Sequence, residues 1–254
     1  MSVTVGMLYP GFGAEDDYPY LEEVLGGYAQ LPLVHTSVGV DAHEVDALLD
    51  LGKSERLLEG ADALRASVPD AVMWACTSGS FVFGWEGAHQ QVAEVEAALG
   101  VPVSSTSLAF VEAVRALGLT TVAVAATYPD DVAQHFARLL GDAGITVLQL
   151  VSHDIKTAAL AGELDHDGVL ALARSNDSPE AEAILIPDTA LHSARWINEL
   201  EEALGKPVLT ANQVTVWQGL RLAGEIQPTN LLGTLFRDAG VLPDAGVLPA
   251  ALLT

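Results

Sequence analysis

The 254-residue chain is poor in cysteine, in positive charge and in long apolar runs, and each shortage removes a class of function. One cysteine, Cys76, excludes an intramolecular disulfide. Eleven basic residues, only Lys53, Lys156 and Lys206 among them lysines, stand against 34 acidic ones, for a net charge of −23. Such a chain has no basic footprint with which to hold nucleic acid or an anionic membrane. The acidity fits a high-salt setting, where screening relieves self-repulsion, as well as it fits an Ala- and Asp-rich source. Half of the residues are apolar, yet no run approaches the roughly 20 that a spanning helix needs. Met1-Ser-Val-Thr-Val-Gly-Met7 has no basic leader and reads directly as a strand, so a cytoplasmic protein without a signal peptide is expected. Neither G-x-G-x-x-G nor G-x-x-x-x-G-K-[ST] occurs. His153-Asp154 and Asp165-His166-Asp167 have no further ligands at metal-binding spacing, so no metal is expected.

What is present centres on Asp70-Ala-Val-Met-Trp-Ala-Cys76-Thr-Ser-Gly-Ser80. A short apolar run reads as a buried strand. It stops at the thiol, and small hydroxyl residues follow. A cysteine there is placed to act as nucleophile or proton-transfer group, since outward backbone N–H groups favour thiolate and bound anion alike. The plainer role is that of a small buried hydrophobe.

A repeat gives the motif a counterpart. Glu94-Val-Glu-Ala-Ala-Leu-Gly-Val-Pro-Val103 returns as Glu199-Leu-Glu-Glu-Ala-Leu-Gly-Lys-Pro-Val208, seven of ten positions identical. An apolar strand precedes each copy, Ala71 to Ala75 and Ala183 to Pro187, ending in Cys76 and Asp188 respectively. The chain therefore reads as a duplicated α/β unit with Cys76 and Asp188 at corresponding positions. Asp188 before Thr189-Ala-Leu is also a favoured helix N-cap. Further strands are expected at Val3–Tyr9, Pro32–Val38, Thr121–Ala126 and Thr146–Leu150, and helices at 20–25, 51–67, 88–99, 105–117, 168–174 and 213–222, the one ending at Leu140 capped by Thr127 or Asp130. Residues 41–50 form a helix or a lid. The tandem Asp-Ala-Gly-Val-Leu-Pro of 238–249 makes a loosely ordered tail.

The expected fold is α/β, with two pseudosymmetric lobes, each a parallel sheet flanked by helices. The first lobe takes residues 1–115 completed by the C-terminal helices of 212–254, and the second takes 116–211. Ligands in such sheets bind at the carboxyl ends of strands, so a cleft between the lobes would be flanked by Cys76 and Asp188. His192 could reach that cleft. Lys156 reads as a solvated lysine, and Trp74, Trp85, Trp196 and Trp217 as packing.

Ala75-Cys-Thr-Ser-Gly-Ser80, with Ala126-Thr-Tyr-Pro-Asp130, Leu204-Gly-Lys-Pro-Val208, Thr210-Ala-Asn-Gln213 and Trp217, resembles the aspartate/glutamate racemase superfamily, in the branch of maleate cis-trans isomerases and arylmalonate decarboxylases. The resemblance covers nearly the whole chain. It implies no cofactor, a small carboxylate or dicarboxylate as ligand, and a homo-oligomer as a plausible assembly. It makes Cys76 a nucleophile or base, and Thr77, Ser78 and Tyr128 hydrogen-bonding partners of a carboxylate or of the enediolate formed from it. Pro10 and Gly11 line the pocket from the first strand, and Thr189 and Ala190 from the second lobe. The departure is Asp188, where isomerases and two-base racemases carry a second cysteine; the decarboxylases keep that cysteine and lack the first. The expected activity is a cofactor-independent isomerase or racemase with Asp188 as opposing acid or base. A decarboxylase working through an enediolate and a non-catalytic carboxylate-binding protein are the alternatives.

Overall fold

The structure is a computed structural model that describes residues 2–11 and 13–238. The tandem repeat of 238–249 lies outside the described residues except for Asp238. Among the described residues nine strands form two parallel sheets. In the first, β1 (Val3–Tyr9) pairs with β2 (Ala29–Gln30) and β3 (Leu33–His35) on one side and with β4 (Ala71–Trp74) on the other, and β4 pairs with β5 (Val103–Ser105). In the second, the order is β7 (Thr146–Ser152), β6 (Thr121–Ala126), β8 (Ala183–Ile186), β9 (Val208–Thr210). The two orders superimpose: β3-β1-β4-β5 answers to β7-β6-β8-β9. Strands β4 and β8 are central and buried at every residue, which is why both are continuous apolar runs.

The repeated decapeptide has a structural reason. Each copy ends a helix, Gly84–Leu99 or Ile197–Leu204, at a glycine in the left-handed conformation, Gly100 with φ 75° and Gly205 with φ 65°. The glutamates at matching positions, Glu96 and Glu201, then accept the N–H of the first residue of the following strand, Val103 at 3.3 Å and Val208 at 3.2 Å. Leu-Gly turns the chain, and the glutamate ties the new strand to the old helix.

Several elements differ from expectation. The stretch 41–50, expected as a helix or a lid, holds the short helix Val45–Leu51; Gly52, where any Cβ would meet the Gly79 carbonyl oxygen at 2.0 Å, separates it from the helix expected over 51–67, which begins only at Ser54 and runs to Leu64. The long strand over 32–38 shrinks to Leu33–His35. The helix Asp130–Asp142 has no side-chain cap, because the Thr127 hydroxyl is used elsewhere. Helix Ala211–Leu222 packs on the first sheet, its Gly219 allowing close approach to Val5 and Met73, and Thr215 meets Thr106 hydroxyl to hydroxyl at 2.6 Å. Helix Gly233–Asp238, expected with the first lobe, instead sits on the second, where Glu201 accepts Thr234 N–H at 2.9 Å and its hydroxyl at 2.8 Å. Phe81 and Phe110 from the first half pack against Phe136 from the second with ring centroids 5.6 and 5.3 Å apart, so one apolar core runs through both.

Candidate active site

Both central strands end at the same cavity. It holds about 230 Å³ and is lined by Cys76 and Ser78 from the end of β4, by Pro10 and Gly11 after β1, and by Asp188, Thr189 and Ala190 after β8. Seven of the nine residues expected at the site thus meet in one space. Thr77 and Tyr128 stand behind the wall. The Thr77 hydroxyl is buried without a hydrogen-bond partner, and Tyr128 is fully buried with its hydroxyl donating to the Pro187 carbonyl.

The two strand-end positions are held differently. Cys76 is 3 % exposed. Its sulfur accepts the Gly79 N–H at 3.3 Å and lies 3.9 Å from the Ser78 hydroxyl. These donors favour thiolate, but burial outweighs them and pushes the thiol up to about 12. Cys76 is therefore held as a neutral thiol, able to give a proton. Thiolate forms only when another group takes that proton.

Asp188 is gripped from all sides. Its Oδ2 accepts the Thr127 hydroxyl and its Oδ1 the Ala190 N–H at 2.9 Å. No helix follows it: residues 189–191 make a turn and a 3-10 segment begins only at Ala194, so the expected helix cap is a turn cap. Ala190, expected to line the pocket, does so with its N–H committed to Asp188. Burial raises the Asp188 carboxyl above the ordinary carboxylate value; the charge of His43 and the Thr127 and Ala190 donors pull it back. A carboxyl raised in this way holds a proton more readily than an ordinary surface carboxylate.

Two tyrosines at equivalent strand ends hold this turn. Tyr9, last in β1, donates to the Thr189 carbonyl at 3.0 Å, and Tyr128, two residues after β6, donates to the Pro187 carbonyl. Asp188 sits between the two carbonyls so fixed. Behind Thr189, Asn212 donates to its carbonyl at 3.2 Å and to Asp17 at 2.9 Å, and Asp17 also accepts the N–H groups of Ser193 and Ala194, each at 3.2 Å. Tyr9 and Asp17 carry no catalytic signature in sequence. A Tyr-Pro pair recurring at the ends of β1 and β6 (Tyr9-Pro10, Tyr128-Pro129) is the signal that could have singled out Tyr9.

Residues of segment 36–44, expected as the end of a strand over 32–38 and the start of a helix or lid over 41–50, line the cavity. Asp41 accepts the Ala158 and Ala159 N–H groups at 2.9 and 3.2 Å, across from one lobe to the other. His43 joins it, with its Nδ1 2.7 Å from the Ile155 carbonyl. Val38, Val40, Leu48 and Leu51 give the cavity an apolar wall opposite the polar strand ends. His192 points elsewhere, pairing with Asp16 at 2.8 Å, and Lys156 pairs with Asp154 at the surface. Among the described residues no helix is long and apolar enough to cross a membrane.

The model of the arylmalonate decarboxylase family matches residues 36–236. The chain belongs to that family. Among its relatives are the arylmalonate decarboxylase of Bordetella bronchiseptica, 27 % identical over 202 residues (78 % of this chain, 82 % of the relative), and the maleate isomerase of Nocardia farcinica (strain IFM 10152), 29 % identical over 182 residues (69 % and 70 %). A Gly-to-Cys, Cys-to-Ser double mutant of arylmalonate decarboxylase in a liganded form matches with a TM-score of 0.80 at 25 % identity, over 93 % of this chain and 99 % of the other. The Nocardia isomerase has the same fold, TM-score 0.82 at 22 % identity over 93 % and 99 %; it was solved as a Cys-to-Ser mutant with a covalently bound succinylcysteine intermediate. Two parallel α/β sheets flanked by helices are thus the family's architecture as well as this chain's.

Proposed function

We propose that this protein is a cofactor-independent isomerase or racemase of a small carboxylic acid, with Cys76 and Asp188 as the two reacting groups. The observation that carries this reading is their meeting in one cavity from equivalent strand ends, β4 and β8. For racemisation, Asp188 as carboxylate takes the α-proton from one face and the Cys76 thiol gives one to the other. The charge that develops on the substrate carboxylate is met by the Ser78 hydroxyl and the N–H groups of its turn. For cis-trans isomerisation, Cys76 passes its proton to the Asp188 carboxylate as its sulfur adds to one alkene carbon, and the displaced π electrons move into the substrate carboxylate as an enediolate. Rotation about the resulting single bond and elimination of the thiolate release the other isomer. The succinylcysteine of the Nocardia relative supports the covalent form.

The apolar wall of Val38, Val40, Leu48 and Leu51 favours a second reading within the same family, decarboxylation of a malonate bearing an apolar substituent. In that reaction the carbon–carbon bond to the leaving carboxylate breaks, carbon dioxide departs, and Cys76 protonates the enediolate.

The test is product analysis in deuterated water with maleate, with single enantiomers of 2-substituted acids and with phenylmalonate. Fumarate or a deuterated racemate supports the leading reading, and carbon dioxide release supports the second. Dicarboxylate binding without turnover, unaffected by Cys76→Ser, shows a carboxylate-binding protein instead.

A further inference from the structure

A dicarboxylate entering this cavity brings two negative charges to a space that already holds Asp188. No lysine or arginine is among the described residues that line it. A buried anion without a counter-charge is costly. One lining side chain can supply that charge: His43, 5 % exposed and part of the cavity wall.

The ring is fixed. The Ile155 carbonyl 2.7 Å from Nδ1 can only accept, so Nδ1 carries a proton and Nε2 is the nitrogen that gains one on charging. The His43 backbone N–H is anchored as well, to the Lys156 carbonyl at 2.7 Å, and the ring packs edge-on against Tyr128 with centroids 4.8 Å apart. Tyr128 in turn holds the Pro187 carbonyl, one residue before Asp188. The charged and titratable neighbours are otherwise committed. Asp41 is spent on the Ala158 and Ala159 N–H groups, Glu44 is exposed, and Asp154 and Lys156 pair with each other. Tyr128 is a buried phenol, Cys76 a neutral thiol, and Asp188 is already satisfied by Thr127 and Ala190.

We propose that His43, as imidazolium, receives one carboxylate of a dicarboxylate ligand while the other lies at the Cys76–Ser78 turn. This deepens the reading above and rests on it: the ligand is a diacid, and His43 is what distinguishes it from a mono-acid of the same shape.

The experiment is titration calorimetry on the full chain with maleate and phenylmalonate, each beside its monoamide. His43→Asn, which keeps an N–H for the Ile155 carbonyl, is compared with the wild type, with His43→Gln as a second variant should the first melt early. The expected result is a loss of at least tenfold in diacid affinity with the monoamide changed less than twofold. Equal binding of the diacid by wild type and variant, or equal loss for diacid and monoamide, overturns the role of His43 and leaves the isomerase reading standing. A wild-type chain that binds neither diacid overturns this inference and the diacid form of the reading above, and leaves racemisation of a mono-acid to the product analysis.

Discussion

The ends of β4 and β8 occupy equivalent places in two equivalent sheets, yet one is loose and the other locked. Cys76 accepts the Gly79 N–H at 3.3 Å, with a weaker pull from the Ser78 N–H and a hydroxyl 3.9 Å away. Asp188 has both oxygens bonded, and the carbonyls on either side of it are fixed by Tyr9 and Tyr128. A thiol that must change partners during a reaction, or form and break a bond to carbon, gains from few constraints. A carboxyl that replaces a thiol in a buried position needs the opposite. It has two oxygens to satisfy, and any left unpaired in an apolar cleft costs about 1–3 kcal/mol. The turn around Asp188 is the apparatus that makes an acid tolerable there.

The sharpest way to break the comparison is to remove each group in turn. Cys76→Ala leaves a small void in a loose site; activity should fall by about a thousandfold or more while the melting temperature stays nearly unchanged. Asp188→Asn keeps an oxygen for the Ala190 N–H but cannot exchange a proton. Turnover should drop by about 10²–10⁴-fold, and an unchanged rate would reduce Asp188 to a turn cap.

The pH response separates the two sides next. Burial raises the thiol from its ordinary value to about 12, so the folded state holds its proton more tightly than the unfolded one. Stability linked to Cys76 is complete below the unfolded value and is lost as pH climbs toward 12, at up to about 1.4 kcal/mol per pH unit. Cys76→Ala should therefore lose less stability than wild type between pH 9 and 11 in paired denaturation curves. Iodoacetamide should react slowly at neutral pH, and a bound dicarboxylate should slow it further.

Smaller effects test the clamp. Tyr9→Phe removes the bond to the Thr189 carbonyl and should cost about 1 kcal/mol of stability and several-fold in turnover. Ser78→Ala, on the loose side, should leave stability within about 0.5 kcal/mol. Equal destabilisation by the two would erase the asymmetry. Outside the site, Glu201→Gln should cost more than Glu96→Gln, because Glu201 also holds Thr234 of the last described helix; the difference expected in chemical denaturation is about 1 kcal/mol.

Much of the molecule was legible because it is written in local chemistry. Apolar runs such as Ala71–Trp74 and Thr121–Ala126 have no fate but buried parallel strands, and a Leu-Gly-x-Pro-Val repeated in two places must turn the chain twice in the same way. From that repeat alone Cys76 and Asp188 followed as counterparts. The element bounds that were missed fall where a tertiary contact overrides the local pattern, as at Gly52, pressed against the Gly79 carbonyl. The fate of individual polar groups was not legible at all. Nothing near Thr127 says that its hydroxyl goes to Asp188 rather than to the helix it precedes, and nothing near Ala190 says that its N–H is already spent. Tyr9, Asp17, Asp41 and His43 gain their roles from partners more than a hundred residues away in sequence, brought within hydrogen-bond distance only when the two sheets pack. A hydrogen bond needs its partner at about 3 Å. Sequence by itself determined most of the strands, the duplication and the correspondence of Cys76 with Asp188; which donors face which acceptors across the cleft was decided by the packing of one lobe on the other.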